Sequence, residues 1–174
     1  MIYTKLGKSN LNVSRICMGC MGFGDSNKGQ HSWTIDEEHT REIIKRGLEL
    51  GVNFYDTAIA YQSGTSEQYV GRALRDFAKR DDVVVATKFL PRTPEEIEQG
   101  ISGQQHIENM INTSLTNLGM DYVDIELSDD ELKYLEEPYV PHPLAGVMAQ
   151  NKRSDASKKH VWTTGAQKIL GDKK

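Results

Sequence analysis

Two hydrophobic periods alternate along this chain, and that alternation restricts its fold more than any other feature. The run Val83-Val84-Val85-Ala86 is apolar without a break, as in a strand buried on both faces of a parallel sheet. On either side lie segments whose apolar residues recur at helical spacing. Strand-like segments are expected at Arg15–Met21, Val52–Tyr55, Val83–Ala86 and Tyr122–Ile125, with a helix in each interval. Such alternation implies right-handed crossovers and a parallel sheet.

The helices carry their own start and stop signals. Thr34 with Glu37, Thr65 with Gln68 and Ser102 with Gln105 each have the spacing of a capping box. Ile43, Ile44, Gly47 and Leu48 share one face of the first helix, and Gly51 is placed to end it. Val70, Ala73, Leu74, Phe77 and Ala78 form the stripe of the second. Ile107, Met110, Ile111, Leu115 and Leu118 are expected to line the inner face of the third, which Gly119 ends. Residues 2–14 read as a hairpin turning at Gly7-Lys8-Ser9-Asn10. Beyond Ile125 the rhythm breaks. Ser128 and Glu131 cap a fourth helix, Leu127 and Leu132 are spaced for a hydrophobic staple, and Pro138, Pro141 and Pro143 then impose an extended path.

Composition narrows the function. With 174 residues the chain is long enough for a real core, yet shorter than the roughly 200 residues an eight-stranded β/α barrel needs. Residues 1–150 carry a net charge of −9 and residues 151–174 one of +5. The acidic body argues against a nucleic-acid groove, and the basic end reads as a poorly ordered tail. No run of about 18 apolar residues offers a membrane span, and no apolar stretch follows Lys5 and Lys8 as in a secretory signal. Two cysteines do not make a disulfide scaffold. The expected location is the cytoplasm. Cys17 and Cys20 point to opposite faces of a strand, which disfavours redox or metal use. His31, His39 and His106 lie in polar contexts and are expected at the surface, and the Glu95-Glu96-x-Glu98 run is expected as a solvated loop or helical turn.

Reactive groups of parallel βα sheets sit at the C-terminal ends of the strands. Asp56, Tyr61 and Lys88 fall there. A hydride added to a carbonyl carbon leaves charge on oxygen, and a proton must follow. A phenol is a weak donor at neutral pH, and a neighbouring ammonium strengthens it by stabilising the phenolate. Lys88 can do this for Tyr61, with Asp56 orienting Lys88. The alternative is a surface tyrosine beside a structural Asp–Lys ion pair.

The stretch Gly51–Leu74, GVNFYDTAIAYQSGTSEQYVGRAL, resembles the signature of the aldo-keto reductases, with Asp56-Thr57-Ala58-x-x-Tyr61, Glu67 and Gly71 in place. VVVATKF ending at Lys88, ICMGCMGFG and TSLTNLGMDYVDI resemble the family's flanking segments, and LSDDELKYLEEPYVPHPLAGVMAQN its C-terminal one. The resemblance implies NADPH-dependent reduction of aldehydes or ketones on a β/α barrel without a metal. Tyr61 would be the proton donor, tuned by Lys88 and Asp56. Gly19, Cys20, Met21 and Asp56 would lie against the nicotinamide of NADP(H).

The chain also departs from that pattern. Ile125 runs directly into Glu126-Leu127-Ser128, where the family continues with a segment bearing a further catalytic histidine. The strands that hold the cofactor's phosphates are missing as well. The junction reads as an internal deletion of roughly half a barrel, and neither His142 nor His160 lies in a matching motif. The expected fold is therefore an incomplete β/α barrel of about four parallel strands. A hairpin precedes it and a C-terminal helix and tail follow; residues 1–150 form the domain and 151–174 the tail. Two functions remain open: a carbonyl reductase, or a catalytically impaired half-barrel acting as an oligomerising or interaction module. A third is an NADP(H)-binding regulator. Open sheet edges favour a homodimer.

Overall fold

The computed structural model of the chain describes residues 1–124. The fourth helix expected at Ser128, the Leu127–Leu132 staple, the proline path, the Ile125–Glu126 junction, His142, His160 and the boundary at residue 150 lie outside that range. Elements follow in the order β1 (Tyr3–Lys5), β2 (Asn12–Ser14), β3 (Met18–Gly19), α1 (Glu37–Glu49), β4 (Phe54–Asp56), α2 (Thr65–Phe77), β5 (Val84–Ala86), α3 (Pro94–Glu98) and α4 (Gly103–Leu118).

β1 and β2 form the expected hairpin, with Thr4 opposite Val13 and Gly7 at φ +57° in the turn. β3, β4 and β5 form a parallel sheet in chain order, pairing Met18 with Tyr55, Gly19 with Asp56, and Asp56 with Ala86. The alternation thus gives the α/β parallel architecture. Tyr55 and Val85 leave no exposed surface and join Ile44, Val70, Leu74 and Leu118 in the core between sheet and helices.

The helix starts divide by where their neighbours lie. Ser102 and Gln105 form the expected capping box, and Gly119 ends α4 in the left-handed region at φ +62°. Gly51 follows α1 at φ +85°. Thr34, however, does not cap α1. The N–H of Ile35 donates to Gly22 O (2.9 Å) and that of Gly24 to Ile35 O (3.1 Å), which holds residues 34–35 extended. The cap is Asp36, whose carboxylate accepts from the His39 N–H at 3.0 Å. Thr65 does not cap α2 either. Gly64 precedes that helix at φ +85°, and the Thr65 hydroxyl is bound to Gln62 O at 2.8 Å.

Three apolar stripes are less buried than their period suggests. Ile43 of α1 is exposed, and Phe77 of α2 lies beneath the Arg41 guanidinium, 4.8 Å from its ring centre. On α4 the buried residues are His106, Ser114 and Leu118, while Ile107 and Ile111 face outward. α4 meets α2 closely where Leu118 lies against Gly71, and Ile107 and Ile111 are left at the surface.

The strand expected at Tyr122–Ile125 does not form over residues 122–124. The Asp124 carboxylate accepts from the Val85 N–H at 2.8 Å and from Arg80 at 2.7 Å. The Asp124 N–H donates in turn to Val85 O at 3.4 Å. A side chain thereby closes the outer edge of β5 where a ladder was expected.

His106 is buried rather than exposed, at 3% of its free surface. Its Nδ1 lies 3.0 Å from Glu96 Oε1 and its Nε2 2.6 Å from Leu90 O. Both partners are acceptors, so the imidazolium satisfies both and the neutral ring only one. The Leu90 carbonyl first, and Glu96 second, hold the His106 pKa above its ordinary value. The Thr93 N–H and then His106 hold the Glu96 carboxyl below its own. The glutamate run is thus a short helix, capped by Thr93 and Glu96. A raised histidine pKa stabilises fully below about pH 6.5 and is lost as pH rises through the folded value. A lowered glutamate pKa stabilises above about pH 4.3 and is lost on acidification. Residues 89–102 are therefore held best between about pH 4.3 and 6.5. Hydrogen exchange, corrected for intrinsic rates, should show this segment opening more readily at pH 9 than at pH 6. His106→Asn should remove the difference.

Candidate active site at the C-terminal strand ends

The structure brings Asp56, Tyr61 and Lys88 together. Asp56 ends β4, Lys88 lies two residues past β5, and Tyr61 opens a single 3-10 turn that runs to Gly64. The Lys88 ammonium has three protons and three oxygen partners. Asp56 Oδ1 and Thr57 O lie at 2.7 Å, and the Tyr61 hydroxyl at 3.5 Å. The ammonium also sits 5.1 Å from the centre of the Tyr61 ring. Partial burial pushes the Lys88 pKa down, but the Asp56 carboxylate and the Tyr61 oxygen together outweigh it and hold the pKa above the ordinary lysine value. Lys88 therefore stays cationic across neutral and moderately alkaline pH. The arrangement fixes a positive charge beside the Tyr61 phenol.

The three residues rest on a buried polar layer. Ser66 Oγ donates to Cys20 O at 2.7 Å and lies 3.4 Å from Thr57 Oγ1. Glu67 is fully buried in the first turn of α2. Its two oxygens accept from Thr87 Oγ1 (2.7 Å) and Asn117 Nδ2 (2.9 Å). One carboxylate thus ties α2 and α4 to Thr87, the residue between β5 and Lys88, and the partial positive charge of the helix start favours it there.

The residues expected at the nicotinamide differ in exposure. Gly19 is exposed, and a Cβ built on it would meet nothing within 4 Å. The strand therefore presents a bare backbone cradle beside Asp56, which fits a flat ring laid against it. Met21 is half-buried. Cys20 is fully buried, and burial pushes its thiol pKa up to about 12. Its N–H donates to Asp56 O, its carbonyl accepts from Ser66 and its thiol donates to Met18 O at 3.3 Å, so its polar groups are all engaged inside the protein. Cys17 is exposed, as the opposed faces of a strand require. Among the described residues, no cluster of His, Cys, Asp and Glu could hold a metal ion. No helix there is long and apolar enough to cross a membrane.

Thr57 was named only as part of the signature, and Ser66, Thr87 and Gln62 were given no role by the sequence. Thr57 and Ser66 lie inside the quoted signature, and Thr87 in the strand ending at Lys88. Nothing local distinguishes Gln62.

The model of the Aldo/keto reductase family matches residues 15–147. A probable voltage-gated potassium channel subunit beta of Arabidopsis thaliana is 35% identical over 127 residues, covering 72% of this chain and 36% of that protein. Versiconal hemiacetal acetate reductase of Aspergillus parasiticus is 33% identical over 125 residues, covering 71% and 33%. Among solved structures, the holo form of an aldo-keto reductase from Bacillus halodurans superposes with a TM-score of 0.55 at 36% identity, over 71% of this chain and 38% of that one. The chain thus spans about a third of the length of these relatives.

Proposed function

The chain belongs to the aldo/keto reductase family, and from that premise we propose that it reduces aldehydes or ketones to alcohols with NADPH. One observation carries the reading: a lysine ammonium shared between the Asp56 carboxylate and the Tyr61 hydroxyl at the strand ends. NADPH, when bound, supplies the hydride. Tyr61 donates the proton to the carbonyl oxygen as charge gathers there. Lys88 stabilises the negative charge left on the phenol oxygen, and Asp56 with Thr57 O keeps the ammonium in place. Gly19 and Met21 offer the surface on which the nicotinamide would lie, Cys20 supports it from below and Asp56 flanks it. The three-stranded sheet is read as an arc of an incomplete β/α barrel.

Titrating the purified chain with NADPH, followed by cofactor fluorescence, tests the reading. Saturable binding with carbonyl-dependent NADPH consumption supports it. The absence of both would reduce the site to a record of ancestry.

One observation favours a second, compatible reading, a homodimer. Met1, Ile16, Ile43 and Leu50 are all exposed around an apolar groove of about 550 Å³ between β3 and α1. Glu42 and Arg46 flank it four residues apart on α1. Two-fold pairing of two copies through this groove would bury these apolar side chains against one another. Sedimentation should show a dimer that Ile43→Glu dissociates; a monomer at all concentrations refutes the pairing.

A further inference from the structure

Gln62 is buried to 1% of its free surface although it is polar and follows Tyr61 directly. Its backbone is left-handed (φ 49°, ψ 44°), as is that of Ser63 (φ 54°, ψ 41°). Two successive non-glycine residues in that region are strained and persist only where surrounding contacts hold them. Those contacts come from the segment between β3 and α1. The two N–H groups of the Gln62 amide are shared among three carbonyls, Asp25 O (2.9 Å), Lys28 O and His31 O (2.7 Å), and its oxygen accepts from the His31 N–H at 2.9 Å. Thr65 adds a relay, accepting from the Asp25 N–H at 3.0 Å and donating to Gln62 O. The segment fits so closely that a Cβ on Gly29 would stand 2.6 Å from Gln62 Cα, and one on Gly24 would stand 2.7 Å from Gln62 Cβ.

We propose that Gln62 is a positioning residue: its buried amide locks residues 24–31 onto the turn that carries Tyr61, so that loop and phenol are held as one body. This rests on Tyr61 being the proton donor of the proposed reduction. The loop leaves the C-terminal end of β3 and the turn follows that of β4, so the lock spans two neighbouring strand ends. Gln62 is joined to Tyr61 by a peptide bond and to the loop by four side-chain contacts. Losing the amide frees the loop and removes what holds the turn in its strained form.

The test compares Gln62→Gly and Gln62→Glu in a Trp162→Phe background, where Trp33 is the remaining tryptophan. Glycine accepts the left-handed backbone without strain, so Gln62→Gly deletes the amide while permitting the fold. Exchange of the amides of residues 25–31 should rise at least about tenfold, while core amides of α1 and α2 keep their protection. Trp33 anisotropy should fall and the Tyr61 ring resonances should shift. In Gln62→Glu a carboxylate faces three carbonyls, so the release should be at least as large as with glycine. Gly29→Ala should reproduce the release with Gln62 intact. In turnover, kcat of the folded enzyme should fall about tenfold or more while the NADPH dissociation constant holds; a purely structural residue would lower the melting temperature and leave kcat per folded molecule unchanged. Parental exchange at residues 25–31 in Gln62→Gly, or unmoved Tyr61 resonances, overturns the proposal. If the parent reduces no carbonyl, the reading of function fails, and exchange with the Tyr61 resonances still decides the lock.

Discussion

Tyr61→Phe is expected to lower carbonyl reduction by about 10²–10⁴-fold, the range that a positioned proton donor supplies. The substitution removes one oxygen and keeps the ring beneath the Lys88 ammonium. Lys88 retains its two 2.7 Å partners, Asp56 and Thr57 O, so no buried charge is orphaned. Stability should therefore move by no more than about 0.5 kcal/mol. NADPH affinity should be unchanged, because in the proposed reduction the hydroxyl serves the carbonyl oxygen and not the cofactor. Steady-state NADPH consumption with an aldehyde, beside a binding titration, separates these effects. Consumption at the parental rate would remove Tyr61 from the chemistry.

Gly71→Ala is expected to give the largest loss of stability. Gly71 lies on the buried side of α2, against α4. A Cβ there would overlap the Leu118 carbonyl oxygen and stand 2.7 Å from Leu118 Cα. These are backbone atoms and cannot rotate away, so the two helices must separate. Leu118 and Leu74, both buried to within 2%, would lose packing as they do. The Glu67–Asn117 hydrogen bond between the same helices would lengthen. Overpacking that moves backbone costs about 3 kcal/mol, or roughly 10 °C in melting temperature for a chain of this size. A thermal melt by circular dichroism measures it. A melting temperature within about 2 °C of the parent would mean that the helices part at little cost.

The site was legible to different depths. Asp56, Tyr61 and Lys88 could be placed because each follows a recognisable strand, and parallel topology sends all strand ends to one side. The structure gives the distances and adds Thr57 O as the third partner of Lys88. Cys20 was expected against the nicotinamide, and the structure turns its side chain into the core. Strand alternation carries that information, since Cys17 and Cys20 were read as opposed. Gln62 and His106 were illegible for a common reason. Each is a polar residue whose burial depends on a backbone segment elsewhere: residues 25–31 for Gln62, Leu90 for His106.

The sequence by itself determined relations closed within one turn of helix or one strand. The Ser102–Gln105 cap, the left-handed Gly119 and Gly51 and the apolar Val83–Ala86 strand belong to this group. In each, the interacting groups lie a few residues apart, and backbone geometry alone brings them together. Tertiary structure decided which part of each apolar stripe found a neighbour. It buried Ser114 and Leu118 while leaving Ile107 and Ile111 outside. It moved the cap of α1 to Asp36, because Gly22 and Gly24 hold Ile35 extended. It gave the edge of β5 to the Asp124 side chain, and it assembled the Gln62 lock across more than thirty residues of chain. Periodicity shows that a face is apolar or a residue polar; only the packed chain supplies the partner that determines whether it is buried.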